Sequence, residues 1–156
     1  MIRDTHPIFE GFTVFLRDLG NTGNVFVMGR SLGSAPALEV AYHYQKELKG
    51  LIIESGFATG RNQLMRLGLS NLAKEKEDPI GFGNHIKIRD VTIPTLIIHG
   101  EDDEIIPVSE GRALYSLSGS KEKSSLFIPC AGHNDILMVG LKAYMNTIEG
   151  FIKSCA

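Results

Sequence analysis

Cysteine is scarce in this chain, and the two present, Cys130 and Cys155, fall at no spacing that builds a disulfide framework or a metal site. Long apolar runs are lacking too. No stretch approaches the about 20 residues needed to cross a bilayer, and no apolar signal core follows the N-terminus. A reduced, cytoplasmic protein without a membrane span is therefore expected. Positive charge is not in excess: 16 Lys and Arg against 18 Asp and Glu give a net charge of −2. That leaves no basic footprint for nucleic acid. The densest charged cluster, Lys74 to Asp78, reads as a solvated helix end and loop. Internal repeats and low-complexity tracts are absent from the sequence. A length of 156 residues fits one domain over 1–156, large enough to bury roughly two-thirds of its unfolded surface.

What is present is a set of short, continuously apolar runs alternating with helical periodicity. Val25–Met28, Leu51–Ile53, Thr95–Ile98 and Ser125–Ile128 have strand length. Their lack of in–out alternation signals burial on both faces and parallel pairing. Between them, helical patterns begin after Gly33, near Ser109 and at Asp135. A further helix precedes the first strand, with Ile8, Phe12, Phe15/Leu16 and Leu19 on one face. In the helix after Gly33 the buried positions are Ala37, Leu38, Ala41, Tyr44/Gln45 and Leu48, with Gly50 closing it. The last helix places Ile136/Leu137, Leu141, Tyr144/Met145, Ile148 and Phe151/Ile152 on one face. Strand–helix alternation with right-handed crossovers gives an α/β fold, a three-layer α/β/α arrangement around a mostly parallel sheet. The long connection 56–93 is expected to act as a lid or cap segment. Within it Phe57, Leu64, Met65 and Phe82 either line an acyl-sized pocket or simply cover the sheet.

The first strand runs into Gly29-Arg30-Ser31-Leu32-Gly33 and directly on into a helix. This strand–turn–helix setting is what a nucleophile elbow requires, with Ser31 on a strained turn at the end of the sheet. Side chains two residues either side of such a serine must be nearly absent, a demand met by Gly29 and Gly33. The N–H of Leu32, at a helix N-terminus, is placed to stabilise an oxyanion. Reading the same turn as a phosphate cradle fails: a dinucleotide fingerprint needs glycine at 31, and no Gly-Lys-Ser/Thr follows. No cofactor and no metal are expected.

Serine needs a base, and the base needs an acid to fix its tautomer. Of five histidines, His6 precedes Pro7 close to the N-terminus, His43 lies within a helix and His85 in the long connection. His99 ends a strand beside Gly100 and reads as structural. His133, in Ala131-Gly132-His133-Asn134-Asp135, follows the last strand and is the expected base. For the acid, Glu101 to Glu104 offer four carboxylates in a row after the third strand. Asp103, anchored by Ile105 and Ile106, is preferred over Asp102. Glu54, ending the neighbouring strand, is the alternative acid. Ser31, Glu54, Asp103 and His133 all fall at the carboxyl ends of strands, where ligands of such sheets bind.

These motifs, in the order Ser…Asp…His, resemble the α/β-hydrolase superfamily. Gly29–Ser34 is similar to the elbow of its prolyl-peptidase and acyl-protein-thioesterase-like branch, Ile93–Pro107 to its acid-bearing segment, and Ala131–Asp135 to its histidine loop. The resemblance covers the chain from residue 8 on and implies the C-terminal two-thirds of the fold. It implies a serine hydrolase that cleaves an ester, thioester or amide (peptide) bond of a small acyl substrate through an acyl-enzyme. A full domain carries further strands before the elbow and a loop donating a second oxyanion N–H. About 24 residues precede the first strand here, so the resemblance implies a truncated hydrolase fold. Its activity would then be weakened for want of that loop. The alternative is a weak or inactive domain that self-associates as a homodimer through the exposed edge of the first strand.

Overall fold

The computed structural model describes residues 2–60, 65, 68 and 82–155. Four strands form one parallel sheet in the order β1-β2-β3-β4: β1 (Phe26–Arg30), β2 (Gly50–Glu54), β3 (Thr95–Gly100) and β4 (Lys123–Ile128). Phe26 pairs with Gly50, Leu51 with Thr95 and Ile98 with Leu126. The five described helices are α1 (Ile2–Asp18), α2 (Ser34–His43), α3 (Asn84–Asp90), α4 (Val108–Leu117) and α5 (Ile136–Ser154).

Alternate residues of the central strands feed two separate cores. Leu51, Ile53 and Ile97 pack with Leu38 of α2, Ile88 of α3 and Leu114 of α4. Ile52, Leu96 and Ile98 point the other way, against Ile136, Tyr144 and Phe151 of α5. Every residue of β2 and β3 is buried, which is why both read as unbroken apolar runs. The fold is the expected three-layer α/β/α arrangement, and its sheet is wholly parallel among the described residues.

Several expectations need correction. Of the stripe on and just past α1, Ile8, Phe12, Phe15 and Leu19 are exposed, at 48–69 % of full accessibility, Leu16 is half-buried, and Phe9 is the helix's buried anchor. Periodicity gave the stripe, but α1 leans on α2 through the next face round, so the stripe meets solvent. Gly50 does not close a helix. α2 stops at His43, a 3-10 turn at Gln45–Glu47 follows, and Gly50 opens β2. A Cβ there would lie 2.9 Å from the Phe151 ring, so close packing of α5 is what demands glycine. On α5, Leu137, Leu141, Met145 and Ile152 are exposed. Gly140 is non-helical (φ −125°) and breaks the phase of the apolar face. It sits against Ile128, 2.8 Å from where its Cβ would be.

Phe57 and Phe82 are buried together with Ala35 of α2 and Ile106, rings 5.5 Å apart edge to face, in a cluster separate from the two cores on the sheet; Met65 is exposed. Leu64, Leu69, Leu72, the charged cluster 74–78 and Pro79–Gly81 lie outside the described residues.

Candidate active site

The turn after β1 puts Arg30 in extended conformation and Ser31 at φ +54°, in the left-handed region that serine adopts only under constraint. A 3-10 turn over Ser31–Gly33 then leads into α2. Gly29 is buried at the crossing: a Cβ would fall 2.4 Å from the Gly33 carbonyl oxygen and 2.5 Å from the Ala37 Cβ. The matching expectation for Gly33 is not met. It has an ordinary αR backbone and nothing within 4 Å of a Cβ built there. The steric demand is one-sided, since the strand and helix touch at Gly29 while position 33 faces open space. Leu32 is 43 % exposed and stands in the first turn, next to Ser31.

Two loops are laced together opposite this turn. The Glu101 N–H donates to Ile128 O and the Asp102 N–H to Ala131 O, each at 2.9 Å. Contact is so close that a Cβ on Gly100 would lie 2.3 Å from Ala131 O. This lacing aligns Asp103 with His133. Asp103 Oδ1 accepts the N–H groups of Ile105 (2.9 Å) and Ile106 (2.7 Å), so the pair anchors it through its backbone. Its Oδ2 stands 2.7 Å from His133 Nδ1. The ionised carboxylate only accepts, so Nδ1 carries the ring proton. His133 Nε2 is then a lone pair, and it lies 2.9 Å from Ser31 Oγ, positioned to accept the hydroxyl proton.

Burial alone would raise the Asp103 pKa. Hydrogen bonds from His99, the Ile106 N–H and His133, with the charge of His133, outweigh it and hold the carboxyl at about 2. His99, fully buried, donates Nε2–H to Ile106 O at 2.7 Å, with Asp103 Oδ2 at 3.4 Å. The structural role expected of His99 thus has a specific form, a floor under Asp103.

Glu54 is brought to the same end of the sheet but not to His133. Its Oε1 accepts from Arg30 Nε (2.9 Å) and its Oε2 from the Tyr144 hydroxyl (2.6 Å). Burial and the adjoining Glu54 carboxylate raise the Tyr144 pKa, so the phenol stays a donor. Arg30 reaches on to the histidine loop, donating from Nη2 to His133 O (2.6 Å) and Asn134 Oδ1 (3.0 Å). A clamp from Tyr144 through Glu54 and Arg30 therefore holds the backbone of His133. Sequence reading missed it. Arg30 beside the serine was the available signal, but its partners come from β2 and α5.

Asp102 is exposed and contributes its backbone. With Glu104, Cys130 and Asp135 it borders a cavity of about 370 Å³ reaching His133. Gly132 donates its N–H to Asp135 Oδ1 at 2.6 Å, closing the histidine turn.

A parallel sheet with a serine on a strained strand–helix turn, facing a histidine and a buried carboxylate, belongs to the α/β-hydrolase class, and solved structures agree on the fold. Pyrococcus horikoshii acylaminoacyl peptidase matches with a TM-score of 0.77 at 18% identity, over 95% of this chain and 27% of that one. The monoacylglycerol lipase of Paleococcus ferrophilus matches with a TM-score of 0.69 at 13% identity, over 97% of this chain and 76% of that one. The chain belongs to the family described as Serine hydrolase (FSH1), whose model matches residues 24–133. Human Alpha/beta hydrolase domain-containing protein 17B is 33% identical over 129 residues, 83% of this chain and 41% of that protein. The chain thus spans well under half the length of that relative. Among the described residues no helix is long and apolar enough to cross a membrane.

Proposed function

We propose that this hydrolase cleaves a small acyl ester, thioester or peptide bond in the cytoplasm through an acyl-enzyme, as a single domain over 1–156 with 56–93 as its cap. The observation that carries the reading is the hydrogen-bonded line Ser31–His133–Asp103. Ser31 Oγ attacks the carbonyl carbon while its proton passes to His133 Nε2, and Asp103 stabilises the imidazolium. The Leu32 N–H, in the 3-10 turn that leads into α2, receives the oxyanion. His133 then protonates the leaving oxygen, sulfur or nitrogen, and the acyl group stays on Ser31. Water, deprotonated by His133, releases the acid and restores the serine. The purified chain is expected to turn over p-nitrophenyl acetate or butyrate with saturation kinetics. Hydrolysis no faster than that of buffer alone would overturn the reading.

A second reading, self-association with weak or no catalysis, has its own observation. Met28 at the open edge of β1 is exposed, as is the α1 stripe from Ile8 to Leu19. Two adjoining grooves of about 340 and 320 Å³ share Thr5, Pro36 and Val40 between α1 and β1. An apolar sheet edge tends to be paired or covered. Light scattering at micromolar concentration is expected to give twice the monomer mass of 17.1 kDa. A compact monomer would remove the homodimer.

A further inference from the structure

His6 of α1 and Glu39 and His43 of α2 converge between the two helices, with none of them bonded to Ser31, Asp103 or His133. Glu39 is buried, and its Oε1 lies 2.9 Å from His6 Nε2 and 3.3 Å from His43 Nε2. The three donor atoms lie within 4.8 Å of one another. Bonds of about 2.1 Å in a tetrahedron place neighbouring ligand atoms about 3.4 Å apart, so both His–Glu separations already approach that spacing. Glu39 and His43 stand four residues apart, one turn on the same face, and α1 supplies the third donor across the helix pair.

The hydrogen-bond directions make this more than proximity. The Tyr44 hydroxyl has one proton, which it donates to Glu10 Oε1 at 2.8 Å. His6 Nδ1, 3.0 Å from the same hydroxyl, must then be the donor to it. A neutral imidazole has a single N–H, so Nε2 of His6 turns a lone pair toward a carboxylate oxygen. Two acceptors facing each other at 2.9 Å need a cation between them, either a second proton or a metal ion. A hydrogen bond from the remote ring nitrogen to a second-sphere partner is also the usual way to fix a metal-binding histidine.

We propose that His6, Glu39 and His43 form a binding site for a divalent transition metal ion of the zinc class, with water completing the coordination on the exposed side. Two imidazoles and one carboxylate favour zinc, cobalt, nickel or copper over magnesium or calcium, which take all-oxygen sets. Lys87 sets the limits of the site. Its ammonium pairs with Glu39 Oε2 and also donates to Phe82 O at 2.7 Å. It therefore leaves Oε1 as the single binding oxygen of Glu39, and its charge opposes a dication. Bound metal ties α1 to α2 and stabilises the folded chain by an amount that grows with the logarithm of free metal once the site is full.

The test is calorimetric titration of the full, chelator-treated chain with Zn²⁺, together with the visible spectrum of the Co²⁺ form. One ion per chain, and the d–d absorption of a four- or five-coordinate cobalt site, are expected. His6→Ala and His43→Ala should each weaken binding at least about tenfold, since even second-sphere changes reach 10–100-fold. His43 is exposed, so its variant should keep the far-ultraviolet circular dichroism and the metal-free melting temperature of the parent. Absence of binding, or binding unchanged in the double variant, would overturn the site; the latter would place the ion elsewhere, as at Cys130 or Cys155. Ester hydrolysis is not a readout here, so the result stands apart from that of the serine site.

Discussion

Ser31→Ala is expected to abolish turnover of a short-chain aryl ester, with kcat falling on the order of 10⁵–10⁶-fold. Removing the nucleophile or its base in a serine triad has effects of that size. His133→Ala should fall to the same level, and the double variant no further, because in the proposed mechanism nucleophile and base act in one proton transfer. Cys130→Ala retains activity near that of the parent. Cys130 is close in sequence to His133 and shares its cavity, yet it is exposed on a left-handed turn at φ +61°. It also lacks the helix N-terminus that would favour a thiolate, and His133 Nε2 is directed at Ser31. Initial rates of p-nitrophenol release check all four variants. Activity surviving in Ser31→Ala would reject the nucleophile assignment.

Asp103→Asn is expected to lower kcat on the order of 10⁴-fold at neutral pH while leaving the fold intact. The asparagine amide would donate to His133 Nδ1, forcing the ring proton onto Nε2. That nitrogen then points N–H, not a lone pair, at Ser31 Oγ. The native carboxylate also carries a stability signature. Its folded-state pKa of about 2 lies below the ordinary 3.8. Its contribution, about 2 kcal/mol, is therefore present above pH ~4 and lost as pH falls toward ~2. Urea unfolding between pH 5 and 2 should give a flatter pH dependence in Asp103→Asn than in the parent. Equal slopes would mean that the hydrogen bonds to Asp103 add no net stabilisation.

The parts of this site that were legible in the sequence are those whose chemistry is local. A glycine-flanked serine between an apolar run and a helix specifies its own turn, and Ser31 adopts it. Strand ends gather at one edge of a parallel sheet, so placing Ser31, Asp103 and His133 at such ends brought them near one another. Choosing between Asp103 and Glu54 was a different matter. Both end neighbouring strands, and what separates them is that Arg30 and Tyr144 already occupy the oxygens of Glu54. Tyr144 sits 90 residues away, and no local pattern couples it to β2. The exposed stripe of α1 failed for a related reason. Helical spacing reveals that a face is apolar, but which neighbour covers it is a tertiary fact. Gly50 looks like the end of a helix in sequence, whereas close contact with Phe151 is what requires it.

Whether His133 activates Ser31 in this chain as it stands is read out by a fluorophosphonate probe. The reagent phosphonylates a serine whose proton a neighbouring base removes, with fluoride as the leaving group, and leaves unactivated hydroxyls untouched. One label per chain is expected, mapped by peptide mass to Ser31, lost in Ser31→Ala and strongly slowed in His133→Ala and after urea unfolding. A folded chain that stays unlabelled, or that carries the label on another residue, would contradict that activation.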